Sequence, residues 1–385
     1  MKAPYWSAPG LACALVLIAQ AAEAASGPEI TLSLDPAFYS WERDEDGAKG
    51  WQIVTPLTAS ASRKPLPELA LDISMRTAYI VSVNETDGAS GRYTGPSDTN
   101  FGISLALLDQ GWWQPFVTID LNLPTGQETL AGREKRAIMD PDLVGQIRFG
   151  EGFNTNVVAG GTIPLDETLA LTIAGGVNFR GAYTPDGDSG LSFDPGNQLS
   201  AYAALQYLEG RLSGSFSVKY FDEVTSTRGG IDYYNPGDEL EFEIEAAYAL
   251  DEVSALSALV HYETAQANQY YNFFSGTLAD EDANSNGDII FATATYSRDI
   301  GGAVLRLTAL GLVRTANDYD AVNDLFIPER TKWEVRIGAD GKFDEHAKWG
   351  ANIGYGEVVD DPTAFITTGL HYDYWVARLS LGLEL

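Results

Sequence analysis

Strict two-residue alternation of apolar and polar side chains, sustained over ten or more residues and repeated along the chain, limits what this sequence can fold into. Between Glu239 and Leu250, the residues Leu240, Phe242, Ile244, Ala246, Tyr248 and Leu250 fall on one face of an extended chain. Glu239, Glu241, Glu243 and Glu245 fall on the other. A helix would scatter the four glutamates around its axis, whereas a strand separates them cleanly. The pattern recurs in 211–220, 303–314, 332–340 and 377–385. Soluble β-sandwiches also alternate, but their strands are usually shorter. Strands of this length suit a tilted membrane crossing, with lipid against the apolar face and a wet lumen against the polar one.

The connections reinforce that reading. Short links at 109–111 (Asp109-Gln110-Gly111), 166–167, 209–210, 251–252 and 300–302 alternate with long polar links near 42–50, 84–97, 125–140, 184–197, 225–238, 267–288, 317–329 and 358–363. Short periplasmic turns opposite long extracellular loops characterise a transmembrane barrel. The expected fold is therefore all-β, a transmembrane antiparallel up-and-down β-barrel of about 16 strands, with a range of roughly 14–18. Two stretches leave the parity open. Residues 142–165 exceed one strand, and 364–385 read either as one bent strand or as a hairpin turning near Tyr374. Aromatic residues (Trp41, Trp51, Trp112, Trp113, Tyr183, Tyr233, Tyr234, Tyr270, Tyr271, Trp333, Trp349 and Trp375) gather where strands meet links, as two interfacial girdles would require.

The N-terminus reads as an export signal. Lys2 supplies charge, 11–19 (LACALVLIA) is a short apolar run, and Ala22-Glu23-Ala24 fits a small-x-small cleavage site. The expected organisation is a signal peptide over 1–24 and a barrel over 25–385, exported to a bacterial outer membrane. The one cysteine, Cys13, lies within the signal, which leaves the mature chain without disulfides or thiolate metal sites. The formal charge of -30 argues against nucleic-acid binding, which needs a basic face. Expected partners are outer-membrane lipid and lipopolysaccharide, the barrel-assembly machinery and a small-molecule solute.

From Thr99 to Tyr183 the sequence runs FGISLALLDQGWWQPFVTIDLNLPTGQETL and later NTNVVAGGTIPLDETLALTIAGGVNFRGAY, with Leu123-Pro124-Thr125-Gly126 opening a loop. This stretch, about a quarter of the chain, resembles the outer-membrane transporter family associated with meta-pathway phenol degradation. More broadly it is similar to hydrophobic-substrate channels of the long-chain fatty-acid transporter group. The resemblance implies a passive uptake barrel. Two departures stand out: there is no room before Ile30 for an N-terminal plug segment, and the chain ends in Leu385 where such barrels often end in Phe.

Candidate site residues follow from the inferred lumen face. The pore-lining set comprises Glu239, Glu241, Glu243, Glu245, Arg211, Lys219, Arg306 and Arg336. The four glutamates either attract cations through an aqueous lumen or pair with Arg211 and Lys219 in a cross-strand network. Asp282, Asn284, Asn286 and Asp288 follow the first half of a calcium loop, D-x-[DN]-x-[DN]-G, but Thr293 stands where the bidentate acid belongs. The loop is either a calcium site or simply polar; no other cofactor is implied. His261 with Glu263, and His371 with Asp373, share the inferred lumen face, yet no nucleophile motif accompanies them. The chain is read as a non-enzymatic channel for passive uptake of small solutes, hydrophobic or aromatic ones among them. The alternatives are a non-transporting surface barrel acting in adhesion through its acidic loops and, with least support, an outer-membrane hydrolase.

Overall fold

The computed structural model describes residues 28–385 apart from Asp87, Asp109 and Gln110. The proposed signal peptide, 1–24, and part of the link at 109–111 lie outside the described residues. Eighteen hydrogen-bonded segments form one sheet that closes on itself, and two pairs of segments are single strands with a break. Sixteen antiparallel barrel strands result. β1 is Glu29–Leu34 with Ala37–Arg43, interrupted at Asp35-Pro36. β2 is Lys49–Leu66, β3 Leu69–Thr86, and β4 Ala89–Pro96 with Thr99–Leu107, interrupted at Ser97-Asp98. β5 to β8 are Gln114–Leu123, Asn154–Pro164, Leu169–Arg180 and Gln198–Glu209. β9 to β12 are Leu212–Glu223, Glu239–Ala249, Ser254–Ala265 and Ile289–Asp299. β13 to β16 are Ala303–Arg314, Arg330–Lys342, Ala347–Asp360 and Leu370–Glu384. Each pairs with its neighbour in sequence, and β16 closes the barrel against both halves of β1, with Leu32 opposite Leu383 and Trp41 opposite Tyr374.

Register fixes which way every side chain points, because a strand's side chains alternate. Ile244, opposite Phe216 and Val260, is 53 % exposed, as large aliphatic residues on a lipid-facing surface are. The same face carries Ile173, Leu199, Leu256, Leu305, Leu307, Val335, Ile353 and Leu379, all exposed. Aromatic belts bound this apolar band. Phe179, Tyr220, Trp333, Tyr355 and Trp375 stand at the long-loop end, and Tyr207, Tyr248, Tyr296 and Trp349 at the short-turn end.

The structure departs from the sequence reading at several places. Most of the long link expected at 84–97 is strand: Tyr79–Thr86 and Ala89–Pro96 continue the sheet as a paired ribbon beyond the band. Residues 364–385 contain one strand rather than a hairpin. The excess length near 142–165 belongs to a loop that ends at Phe153. Trp41 is not a girdle residue, since it points inward and is buried. Tyr233, Tyr234, Tyr270 and Tyr271 lie on a second, five-stranded sheet formed by the long loops, in which Phe193–Asp194, Ser226–Arg228, Ile231–Asn235, Gln269–Asn272 and Thr277–Asp280 pair in series.

Candidate pore and its constriction loop

Sixteen strands enclose more space than wall side chains alone can fill. In this barrel the loop 124–153 turns inward and occupies part of it. The loop is anchored where β4 breaks. Asp98, buried at 8 % exposure, accepts hydrogen bonds from the Gly126 amide at 2.9 Å and the Glu151 amide at 2.7 Å, binding both limbs of the loop. Asn122 ties the same carboxylate to the Gly152 carbonyl. The limbs then touch: a Cβ on Gly126 would sit 1.9 Å from the Phe149 carbonyl oxygen, so only glycine fits there. Phe149 stacks on Tyr93 with ring centroids 3.9 Å apart.

From this base the loop follows the inner wall around half of the barrel. Ser82 donates to the Ala137 carbonyl and Asn84 to that of Arg136, while Gln52 exchanges hydrogen bonds with the backbone of Gln146. Met139, Leu143 and Val144 pack into a core with Trp41, Ala48, Val358, Tyr372 and Tyr374. The far end carries Asp140 and Asp142. Arg330 on β14 reaches both, at 2.6 and 2.9 Å, and grips Asp360 with its Nε and Nη2. Arg314 on β13 lies 3.4 Å from Asp142, and Lys332 donates to the Asp142 carbonyl. Burial opposes ionisation of Asp142, but Arg314 and Arg330 outweigh it and hold the carboxyl below its ordinary range. β13 stands eight strands from β5, so the loop spans the lumen's full width while covering β13–β16 and β1–β4.

This division sorts the charge. The covered wall holds the basic residues, nearly all committed: Arg306 with Asp340 at 2.6 Å, Arg336 with Glu334, and Arg330 with three carboxylates. Arg378 reaches Tyr39 at 3.3 Å. The uncovered wall, β5–β12, presents Asp120, Glu223, Glu239, Glu241, Glu243, Glu245 and Glu263 inward. Among the described residues, Arg180 and Lys219 face inward there and pair with Glu223 and Glu241 respectively. Glu245 faces inward and is nonetheless exposed, so the passage beside it is accessible to water. His261 sits between Glu243 and Glu263, its ring nitrogens 3.8 Å from each.

Of the sequence-derived pore residues, the four glutamates, Lys219, Arg306 and Arg336 lie on inward positions. Lys219 donates to Glu241 at 2.9 Å across β9 and β10. Arg211 stands apart, in the turn before β9, where it donates to the Leu250 carbonyl. Glu263 belongs with the pore set, as the alternation of β11 already indicated. His371 and Asp373 face outward, not into the lumen: Asp373 precedes Tyr374, whose inward side chain hydrogen bonds Glu334. In the proposed calcium loop, Asn284 and Asn286 donate their amides to the Ala265 and Gln266 carbonyls, and Asp288 accepts from Tyr262 at 3.0 Å. Asp282 is exposed. Sequence reasoning missed Asp98, Asp140, Asp142 and Arg330, because their roles depend on a loop folding back across the barrel. Gly126 within Leu-Pro-Thr-Gly was the one local signal.

No protein-family model matches the chain, and no curated protein matches it by sequence. Among solved structures, OpdQ of Pseudomonas aeruginosa is similar at 11% identity, with 94% of this chain and 100% of that chain covered and a TM-score of 0.48. OccAB4 of Acinetobacter baumannii is similar at 9% identity, with 94% and 99% covered and a TM-score of 0.48. A mutant of the monoaromatic hydrocarbon channel TodX is similar at 12% identity, with 94% and 91% covered and a TM-score of 0.47.

Proposed function

We propose that this chain is a passive outer-membrane channel for small solutes, with a modest preference for cations. The observation that carries the reading is the partition of charge by the constriction loop. Asp140 and Asp142 engage Arg314 and Arg330 of the basic wall, whose Arg306 and Arg336 pair with Asp340 and Glu334, while the carboxylates of Glu239, Glu241, Glu243, Glu245 and Glu263 remain on the wall that the loop leaves uncovered. Fixed carboxylates on a low-dielectric wall raise the local concentration of counter-ions. The family resemblance would add hydrophobic or aromatic solutes, such as those of the phenol-degradation transporters. The acidic passage favours protonated or polar ones.

A second reading has its own observation. Phe273 and Phe274, 89% and 103% exposed at the tip of the loop-sheet hairpin, suit a barrel that acts by surface adhesion. Planar-bilayer recording of the refolded protein separates the two. Expected are discrete conductance steps and a reversal potential favouring cations at low salt, fading as screening shortens the Debye length. Replacing all four glutamates of β10 with glutamine should reduce the preference without unfolding the barrel. Anion preference in the unmodified protein overturns the charge argument, and absence of conductance favours adhesion.

A further inference from the structure

The outer wall carries a second cluster of ionisable groups, away from the pore. Glu357 of β15 and His371 and Asp373 of β16 point outward beside the belt residues Trp333, Tyr355 and Trp375. One ligand atom from each of the three lies within 4.8 Å of the others. The carboxylates are held in place by aromatic donors. Trp333 Nε1 donates to Glu357 at 3.1 Å, and the Tyr355 hydroxyl donates to both Glu357, at 3.2 Å, and Asp373. His371 Nδ1 faces Asp44 at 3.2 Å across the first hairpin. Its Nε2 is enclosed, has no hydrogen-bond partner and lies 3.5 Å from Glu357 Oε2. Glu45 accepts the His371 amide, adding a further carboxylate. Among the described residues no lysine or arginine pairs with Glu357, Asp373, Asp44 or Glu45.

We propose that Glu357, His371 and Asp373 form a site for a zinc-class divalent cation. Glu357, Asp373, Asp44 and Glu45 gather around a single imidazole, and carboxylates this close repel one another unless a cation compensates them. A ligating histidine normally sets its second nitrogen against a carboxylate, which fixes the tautomer and leaves Nε2 free for metal; Asp44 occupies that place. One imidazole with two carboxylates is a three-ligand set that leaves a fourth position open, and the nitrogen ligand selects zinc and its neighbours over calcium or magnesium. With bonds of about 2.1 Å, a tetrahedral ion holds its ligands roughly 3.4 Å apart, so side-chain rotation within the cluster suffices. The bound ion clamps the first hairpin, through Asp44 and His371, to the last strands across the seam where the barrel closes. The site is independent of the channel reading.

The test is calorimetric titration of the refolded protein in zwitterionic detergent with zinc chloride, before and after addition of millimolar magnesium. Expected is one zinc per chain with micromolar affinity that magnesium does not displace. His371→Gln and Asp373→Asn should each weaken binding about tenfold or more. His346→Gln, altering an exposed imidazole in a short turn, should leave it unchanged. Each variant is first shown to be folded by its faster unheated gel migration. Absence of binding below millimolar zinc, or undiminished affinity in folded His371→Gln, overturns the site.

Discussion

Replacement of Arg330 by methionine should release the constriction loop. Arg330 is 9 % exposed and its guanidinium serves three carboxylates: Asp360 through two bonds of 2.5 and 2.8 Å, Asp140 at 2.6 Å and Asp142 at 2.9 Å. Methionine keeps much of the side chain's volume and removes the charge. Breaking a buried pair by deleting one partner typically costs about 3–5 kcal/mol, because the remaining charge is left buried and unpaired. Here the lower end applies. Arg314 and Lys332 still attend Asp142, and the Asp140 side chain is 27% exposed and can be hydrated. A loss of about 3 kcal/mol corresponds to roughly a hundredfold shift in the docking equilibrium of the loop tip. Hydrogen exchange over 124–153 and tryptic cleavage at Arg133, Lys135, Arg136 and Arg148 should both increase, while exchange in β10 and β11 stays as before. Asp360→Asn is the control, since it weakens the strand-end pair but leaves Arg330 free to hold the loop. If the loop is as protected in Arg330→Met as in the unmodified protein, the tip is held by the apolar core around Leu143 and the ionic latch is irrelevant.

Three further outcomes are expected. Ile244→Arg places charge on the lipid face and should cost about 2–4 kcal/mol near the bilayer midplane, whereas Glu243→Arg faces water and should cost much less; equal costs in urea unfolding from lipid vesicles would show the facing to be wrong. Because the Asp142 carboxyl is held below its ordinary range, its contribution to loop docking is fully present above the unfolded-state value of about 3.9 and is lost as pH falls below it towards the folded-state value. The protection factor of the loop tip, its exchange relative to the intrinsic rate at each pH, should therefore be unchanged from pH 7 to 5 and fall below 4, and a fall already complete at pH 5 contradicts the assignment. The third concerns Asp282, Asn284, Asn286 and Asp288, whose two asparagine amides and Asp288 carboxylate already brace the loop against β11 and its end. Calorimetry with millimolar calcium should show no binding, and a saturating isotherm abolished by Asp282→Ala with Asp288→Ala would restore the calcium reading.

The barrel was legible because its information is local and repeated. Each strand declares its facing through its own alternation, and Glu239–Ala249 alone nearly fixes the orientation of its neighbours. Positions of links were also legible, since turn residues mark them. What failed was legible only in three dimensions. Trp41 looks like a girdle residue at the end of β1, yet it turns inward because Met139 and Leu143 fill the lumen beside it. Residues 84–97 carry Gly, Ser, Pro and Asn like a loop, yet most of them pair in register, and a Cβ on Gly91 would lie 2.2 Å from the backbone of Arg136. Alternation assigns His371 to a face only if the register of β16 is known. The polar residues His371 and Asp373 suggest the lumen, but Tyr372, Tyr374 and Val376 occupy it, and the polar pair meets Asp44 and Glu357 outside.

The inward loop also explains how one wall can carry stripes of opposite sign. If the lumen were empty, Arg314, Arg330 and Lys332 would face the same water as the glutamates of β10, and the two stripes would partly cancel across the passage. The loop changes this by supplying Asp140 and Asp142 to the basic side and by covering that side with Met139, Leu143 and Val144. The arginines become structural, fixing the loop and each other's strand ends, and their field is spent on neighbours 2.6–3.4 Å away. Among the described residues Lys219 pairs with Glu241 and His261 lies between Glu243 and Glu263, while Glu245 stays exposed, so the water-filled half of the lumen inherits a negative potential. Selectivity then depends on docking of the loop as well as on the glutamates. Arg330→Met should lower cation preference even though it removes a positive charge, because the undocked loop uncovers the remaining basic wall. A cation preference that rises in that variant would mean that Arg330 acts on permeating ions directly, and that the loop does not partition the charge.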